Sequence, residues 1–265
     1  MTFAEVADGV FVRRHRELDL NCGLVVGEDA CLVVDTRSDL GEAADLIDAV
    51  RRVTPHPWTV VNTHAHYDHC FGNALFRPAT VWGQRGCAAD LRATGEAQRT
   101  ARVTELLAEG DAVAAERVRR APLDPPDALV DDTAVLDVGG REVVLRHLGR
   151  GHTAHDLVVE VETSGDGTVV FAGDLVEEGA PPAFEDAFPA EWPATLGRLH
   201  ALTRGPVVPG HGAVVDAAFV GAQRAELLAV LAAVRAGRLT GGPYDEATMT
   251  VAAGRPLHHH VDVPH

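Results

Sequence analysis

The chain opens with short apolar runs, VFV at 10–12, GLVVG at 23–27 and ACLVVDT at 30–36. Runs of this length, set off by glycine and charged residues, read as buried strands. The period then changes. Leu40, Ala43, Ala44, Ile47 and Val50 recur at helical spacing, with Ser38 placed to cap the helix. Pro55 and Pro57 end that segment, and WTVVNT (58–63) is another buried-strand pattern. Residues 84–120, rich in Ala, Arg, Glu and Leu, predict one or two surface helices that LDPPD (123–127) breaks. Strand patterns return at TAVLDV (133–138), REVVLRHL (141–148), DLVVEVE (156–162) and TVVFAG (168–173), the last two joined by an SGDG hairpin turn. A proline-rich loop (179–193), a helix through TLGRLHAL, a strand at VVPGH (207–211) and a long apolar helix over 216–236 follow. Each half therefore runs strands then helix, with a histidine-bearing loop after a strand. The expected architecture is two α/β layers packed face to face, a domain over 1–240 followed by a glycine- and proline-punctuated tail at 241–265. No solenoid-type repeat is present.

Composition narrows the partners. At 265 residues with 46% hydrophobic content the chain can bury a sizeable core. A formal charge of −16 disfavours nucleic acid and anionic membrane as partners, because both require a basic surface. A small molecule is the expected partner, and the oligomeric state stays open, a homo-oligomer included. The four cysteines (Cys22, Cys31, Cys70, Cys87) form no CxxC pair, and no apolar run reaches the ~20 residues of a membrane span. MTFAEVADGV lacks the basic and apolar regions of a signal peptide, so the expected address is cytoplasmic.

The chemistry begins at THAHYDH (63–69), where His64, His66, Asp68 and His69 form a metal-site composition. A polar hydrogen-bonded turn is the bland reading of that stretch alone. Three later segments each add a polar residue at the end of an apolar strand: GRGHT gives His152, FAGD gives Asp174 and PGHG gives His211. The flanking glycines fit sharp turns and close backbone approach. A carboxylate such as Asp174 has one oxygen for each of two cations. By contrast Asp35, at the end of its strand, reads as a turn residue, and Cys70 as a small buried one. The run His258-His259-His260 sits in the tail and carries no functional expectation.

The order H-x-H-x-D-H, then G-H-T, G-D and P-G-H-G resembles the metallo-β-lactamase superfamily, over residues ~10 to ~236. That resemblance implies a four-layer αββα sandwich with a dinuclear site at the edge between its two sheets. It assigns His64, His66 and His152 to one ion and Asp68, His69 and His211 to the other, with Asp174 shared. It implies two zinc ions, although manganese and iron accept the same ligands. The implied chemistry is attack of a metal-bridging hydroxide on a carbonyl, with Asp68 as the catalytic residue that orients the nucleophile and takes its proton. The best-known true β-lactamases carry Cys where this chain has Asp174, so the pattern is closer to glyoxalase II-like and lactonase-like hydrolases of small esters, thioesters or lactones. Glyoxalase II, however, clamps glutathione with Lys, and this chain has none.

The alternative on the same fold is a mononuclear iron oxygenase of the persulfide-dioxygenase type, which leaves His211 and the second triad without a use. An RNA-processing nuclease conflicts with the acidic charge, and a non-catalytic descendant has no reason to keep all seven ligands. For substrate contacts the aromatic residues Phe71, Phe184, Phe188 and Trp192 are the candidate apolar walls, with core anchoring of the 177–192 loop an equal possibility.

Overall fold

The computed structural model describes residues 2–184 and 186–236; the tail at 241–265, with Tyr244 and the His258–His260 run, lies outside them. The first sheet has seven strands in chain order: β1 (Ala4–Ala7), β2 (Val10–Arg14), β3 (Asn21–Val26), β4 (Cys31–Val34), β5 (Trp58–Val61), β6 (Val81–Gln84) and β7 (Ala128–Val130). Strands β1 to β4 pair antiparallel, and β4 to β7 pair parallel. Parallel pairing requires a crossover, and α1 (Leu40–Val53) supplies it between β4 and β5. The second sheet comprises β8 (Thr133–Val138), β9 (Arg141–Arg146), β10 (Val158–Glu162), β11 (Thr168–Glu177) and β12 (Val207–His211), in the order β12-β11-β10-β9-β8. Its strands are antiparallel except the β11–β12 pair, which α6 (Trp192–Leu202) bridges.

The alternation of side chains along each strand explains the layers. Leu32 and Val34 face inward with Val159, Val169 and Phe171 of the other sheet, forming the core between the sheets. Their neighbours Cys31 and Val33 face outward onto Ala43, Leu46 and Val50 of α1. On the second sheet Val158 and Val170 face outward onto Trp192, Leu196 and Leu199 of α6 and onto Val220 and Leu227 of α7 (Ala217–Arg235). Helices thus cover both outer faces, giving the expected αββα sandwich. A further cluster under α4 (Arg85–Ala108) and α5 (Ala112–Arg120) takes in Ala65, Cys70 and Phe71 beside the histidine motif.

Two local expectations change. The cap of α1 is Asp39 rather than Ser38: its Oδ1 accepts from the Gly41 and Glu42 amides at 2.7 and 2.9 Å. A carboxylate there also complements the helix dipole. Strand β11 continues past Gly173 to Glu177, carrying Asp174 inside a strand rather than after it. The Ser164–Asp166 turn joins β10 and β11 as an antiparallel hairpin, as its composition predicts. Among the described residues no helix is long and apolar enough to cross a membrane.

Candidate metal centre

The two halves of the sandwich converge at one edge. His64 and His66 lie in the loop leaving β5, and Asp68 and His69 sit on the short helix α2 (Tyr67–Cys70) that ends it, just before α3 (Asn73–Phe76). From the other sheet come His152 in the β9–β10 loop, Asp174 within β11 and His211 at the end of β12. All seven side chains gather there. His64, His66, His152 and Asp174 form one group and Asp68, His69 and His211 another, the ligand atoms of each group lying within 4.8 Å of one another. Two glycines make the approach feasible. Gly173 takes φ 53, a left-handed kink just before Asp174. A Cβ on Gly210 would sit 1.7 Å from Asp174 Oδ1, so only glycine lets β12 pass that carboxylate.

Asp174 faces both groups. Its Oδ2 lies 3.4 Å from His152 Nε2 and 3.7 Å from His64 Nε2, while Oδ1 lies 3.2 Å from His69 Nε2. His211 Nε2 is 3.4 Å from Asp68 Oδ2 and 3.4 Å from Asp174 Oδ2. Donor atoms on a tetrahedral zinc at its usual bond lengths stand about 3.3 Å apart, so these spacings fit cations at both places. The buried atoms His64 Nε2, His69 Nε2 and Asp174 Oδ1 make no hydrogen bond. Orphaned buried polar atoms are costly, and cations held among them would satisfy all three.

In four of the five imidazoles the partner of the outward nitrogen decides which nitrogen faces the centre; His152 Nδ1 makes no hydrogen bond. His69 Nδ1 donates to Asp35 Oδ2 at 2.8 Å, and Thr63 donates to the same carboxylate through its hydroxyl (2.8 Å) and its amide (2.8 Å). The Thr63 hydroxyl then stands 3.1 Å from His64 Nδ1 and can accept from it. His211 Nδ1 donates to the Leu18 carbonyl at 2.6 Å. In these three residues Nε2 is left for a metal. His66 is reversed: its Nε2 is tethered to Asp186 Oδ2 at 3.2 Å, and its Nδ1 points to the centre, 3.0 Å from His152 Nε2.

The electrostatics cut across the two groups: burial works to lower every imidazole, but the neighbouring carboxylates of Asp186, Asp68 and Asp174 outweigh it at His66, pushed up to about 9, at His211, pushed up to about 10, and at His69. Burial holds His64 well below its ordinary pKa and His152 at about 4, so both remain neutral and ready to ligate. Burial alone would raise Asp174, but the charged imidazoles of His69 and His211 outweigh it and hold the carboxyl well below the usual range. Behind His152, burial and the Asp174 charge push the Glu177 carboxyl, 4.0 Å from His152 Nδ1, above the usual carboxylate range.

A family model described as the metallo-beta-lactamase superfamily matches residues 16–211, most of the chain and every one of the seven side chains. The chain belongs to the metallo-beta-lactamase superfamily. Among solved structures, a metallo-beta-lactamase from Pontibacter korlensis is similar at 18% identity and TM-score 0.64, covering 85% of this chain and 98% of that one. The DIM-1 metallo-beta-lactamase is similar at 18% identity and TM-score 0.63, with 86% and 96% covered. At this identity the likeness is one of fold. No curated protein matches.

Several residues of this superfamily member depart from the sequence reading. Asp35 is a buried hub with φ 63, holding His69 and Thr63, rather than a simple turn residue. Asp186, Glu177 and the Leu18 carbonyl were not foreseen as supports. Of the candidate substrate walls, Phe71 is fully buried among Cys87 and Leu91, and Phe184 packs on Trp192 at 5.7 Å in the core under α6. Trp192 is fully buried too, its ring 5.8 Å from that of His152 and its Nε1 donating to the Leu175 carbonyl. These three are anchors rather than walls open to substrate. Phe188 is half-buried beneath the Arg150 guanidinium, which pairs with Glu191.

Proposed function

We propose that this protein is a dinuclear metal-dependent hydrolase that attacks the carbonyl of a small ester, thioester or lactone. The observation that carries this reading is Asp174, a buried carboxylate facing a histidine group on either side. His64, His66 and His152 would hold one cation, Asp68, His69 and His211 the other, and Asp174 both. A pair of divalent cations supplies Lewis acidity and a bound water whose pKa falls toward ~7. The oxygen- and imidazole-rich ligand set suits zinc, manganese or iron, and zinc is our expectation.

The protein's own groups do the rest. Asp68 presents Oδ2 to His69 and His211, at 3.6 and 3.4 Å. Its other carboxylate oxygen would orient an attacking water and accept its proton. Asp35, Thr63, Leu18 and Asp186 fix the imidazole orientations, so the ligands need not reorganise during turnover. Neighbours of known fold are β-lactamases, but Asp174 in place of the cysteine of the best-known ones favours an ester, thioester or lactone over a β-lactam.

Elemental analysis of the purified, tag-free protein tests the reading. Two zinc or manganese ions per chain are expected, with turnover of esters, thioesters or lactones. A single iron per chain, with oxygen uptake, overturns it in favour of the oxygenase. Asp68→Asn should lower kcat by roughly 10²–10⁴-fold, the usual worth of a proton acceptor, while metal at the His64–His66–His152 group stays in place. Near-normal turnover in that variant would remove Asp68 from the role.

A further inference from the structure

A strap of chain, residues 15–21, crosses the open end of β12. Its neck is closed by the His15 amide donating to the Leu20 carbonyl at 2.7 Å. At its tip Leu18 and Asp19 both adopt left-handed backbone, with φ 58 and 55. That conformation is costly for Leu, whose side chain remains 40% exposed and so gains little packing there. What the turn does is aim carbonyls. The Leu18 carbonyl accepts from His211 Nδ1 at 2.6 Å, and the Asp19 carbonyl accepts from the Gly212 amide at 3.0 Å. Asn21 Nδ2 adds bonds to the Pro209 and Gly212 carbonyls at 3.0 and 2.9 Å.

The strap is itself held from two sides. Arg14 grips the Asp19 carboxylate through Nε and Nη2, each at 2.5 Å. Arg37, almost wholly buried, reaches Glu17 Oε2 at 3.2 Å and Glu42 Oε2 at 3.0 Å through Nη2. Arg37 has φ 78 and stands two residues after Asp35, with φ 63. The two left-handed residues that flank Thr36 therefore serve both histidines of the second group. Asp35 bonds His69 Nδ1 directly, and Arg37 acts on His211 through Glu17, the strap and the Leu18 carbonyl.

We infer that the strap is a positioning device for the second cation: Leu18, through its backbone, and Glu17, through Arg37, are positioning residues that present His211 Nε2 to the ion. This inference rests on the dinuclear reading. It accounts for an exposed leucine in a left-handed turn, which fold closure alone does not require.

The test is zinc titration of the metal-free, full-length protein against a chromophoric chelator, with the thermal midpoint of the metal-free form followed alongside. Leu18→Val, whose β-branch makes the left-handed turn costlier still, should misplace the Leu18 carbonyl: affinity for the second zinc drops about 10-fold or more, as for other groups that orient a ligand, while affinity for the first stays unchanged. Glu17→Gln, at a largely exposed side chain, should weaken the second zinc in the same way and leave the first unchanged. Leu18→Asn tolerates the left-handed region and should retain wild-type affinity. If wild type takes two ions and both Leu18→Val and Glu17→Gln match it, the positioning role is overturned and the dinuclear reading stands. If wild type takes one ion or none, the dinuclear reading fails and this inference with it.

Discussion

Asp35 and His15 show how single buried side chains set the chemistry around them. Asp35 accepts from Thr63 N–H, Thr63 O–H and His69 Nδ1–H, three donors on one carboxylate. Asp35→Asn preserves the left-handed backbone, which asparagine tolerates, but sets an amide N–H against one of those donors. Affinity for the second cation should fall by about 10–100-fold, and stability by about 1–3 kcal/mol for the misfit. Chelator competition and urea unfolding measure the two; unchanged affinity would return Asp35 to the status of a turn residue. His15 is buried beside the Arg13 and Arg37 guanidiniums; burial first, and then those two charges, push its pKa down to about 2. The folded-state pKa is depressed, so its contribution to stability is present above pH ~6.5 and is lost as pH falls from there toward 2. Each pH unit in that window costs about 1.4 kcal/mol. Urea unfolding of wild type and His15→Gln at pH 7.5, 6.5 and 5.5 should show a shallower loss in the variant, the difference separating His15 from the other histidines. Parallel slopes would mean that His15 accepts a proton in the fold. The seven clustered side chains were legible because each stands in a glycine-flanked or histidine-dense motif. Their supports were not, because they are met only through folding: His69 and Asp35 lie 34 residues apart, His66 and Asp186 120, His211 and Leu18 193. Asp35 alone left a trace, since in the sequence it follows an apolar run just as Asp174 does.

Elements with two buried faces were readable because they are continuous apolar runs. β4 is such a run, and so is the first half of β11, Val169–Ala172, both buried along their length. Strands β1, β6 and β7 were not, for a different reason in each case. β1 is a half-exposed edge strand, AEVA; β6 carries Gly and Gln; β7 spans only three residues. Their pairing comes from the neighbouring strand rather than from their own pattern. The cap at Asp39 rather than Ser38 is a one-residue shift of the kind propensity does not resolve. Between the sheets the fit is close enough to test. A Cβ on Gly23 would meet the Phe171 ring at 2.3 Å. Gly23→Ala should therefore destabilise by about 1–3 kcal/mol through overpacking. Adding Phe171→Leu should recover part of that loss, so that the double variant is less destabilised than the sum of the singles. Simple additivity in urea unfolding would show that the two sheets part locally instead of clashing.

At the scale of the molecule the candidate metal centre is a seam. Four of the gathered residues leave the first sheet and three come from the second, so a cation bound among them would tie the two halves together. The same edge concentrates Asp68 and Asp174 near Asp35, Asp186 and Glu177, in a chain whose formal charge is already −16. Cations bound at this point remove repulsion as well as satisfying the orphaned nitrogens and oxygen. Binding to the folded form alone stabilises it by about 2.7 kcal/mol at a free ion concentration 100 times Kd. For a chain of this size that corresponds to roughly 5–11 °C in thermal midpoint. Stripping the protein with a chelator should lower the midpoint by that order, and restoring zinc should return it. A variant with Asp174→Asn, which keeps the shape but loses the shared charge, should have a low midpoint that zinc barely moves. A midpoint indifferent to chelator and zinc in the wild-type protein would show that the edge is held by its hydrogen bonds alone and that the gathered side chains bind no ion.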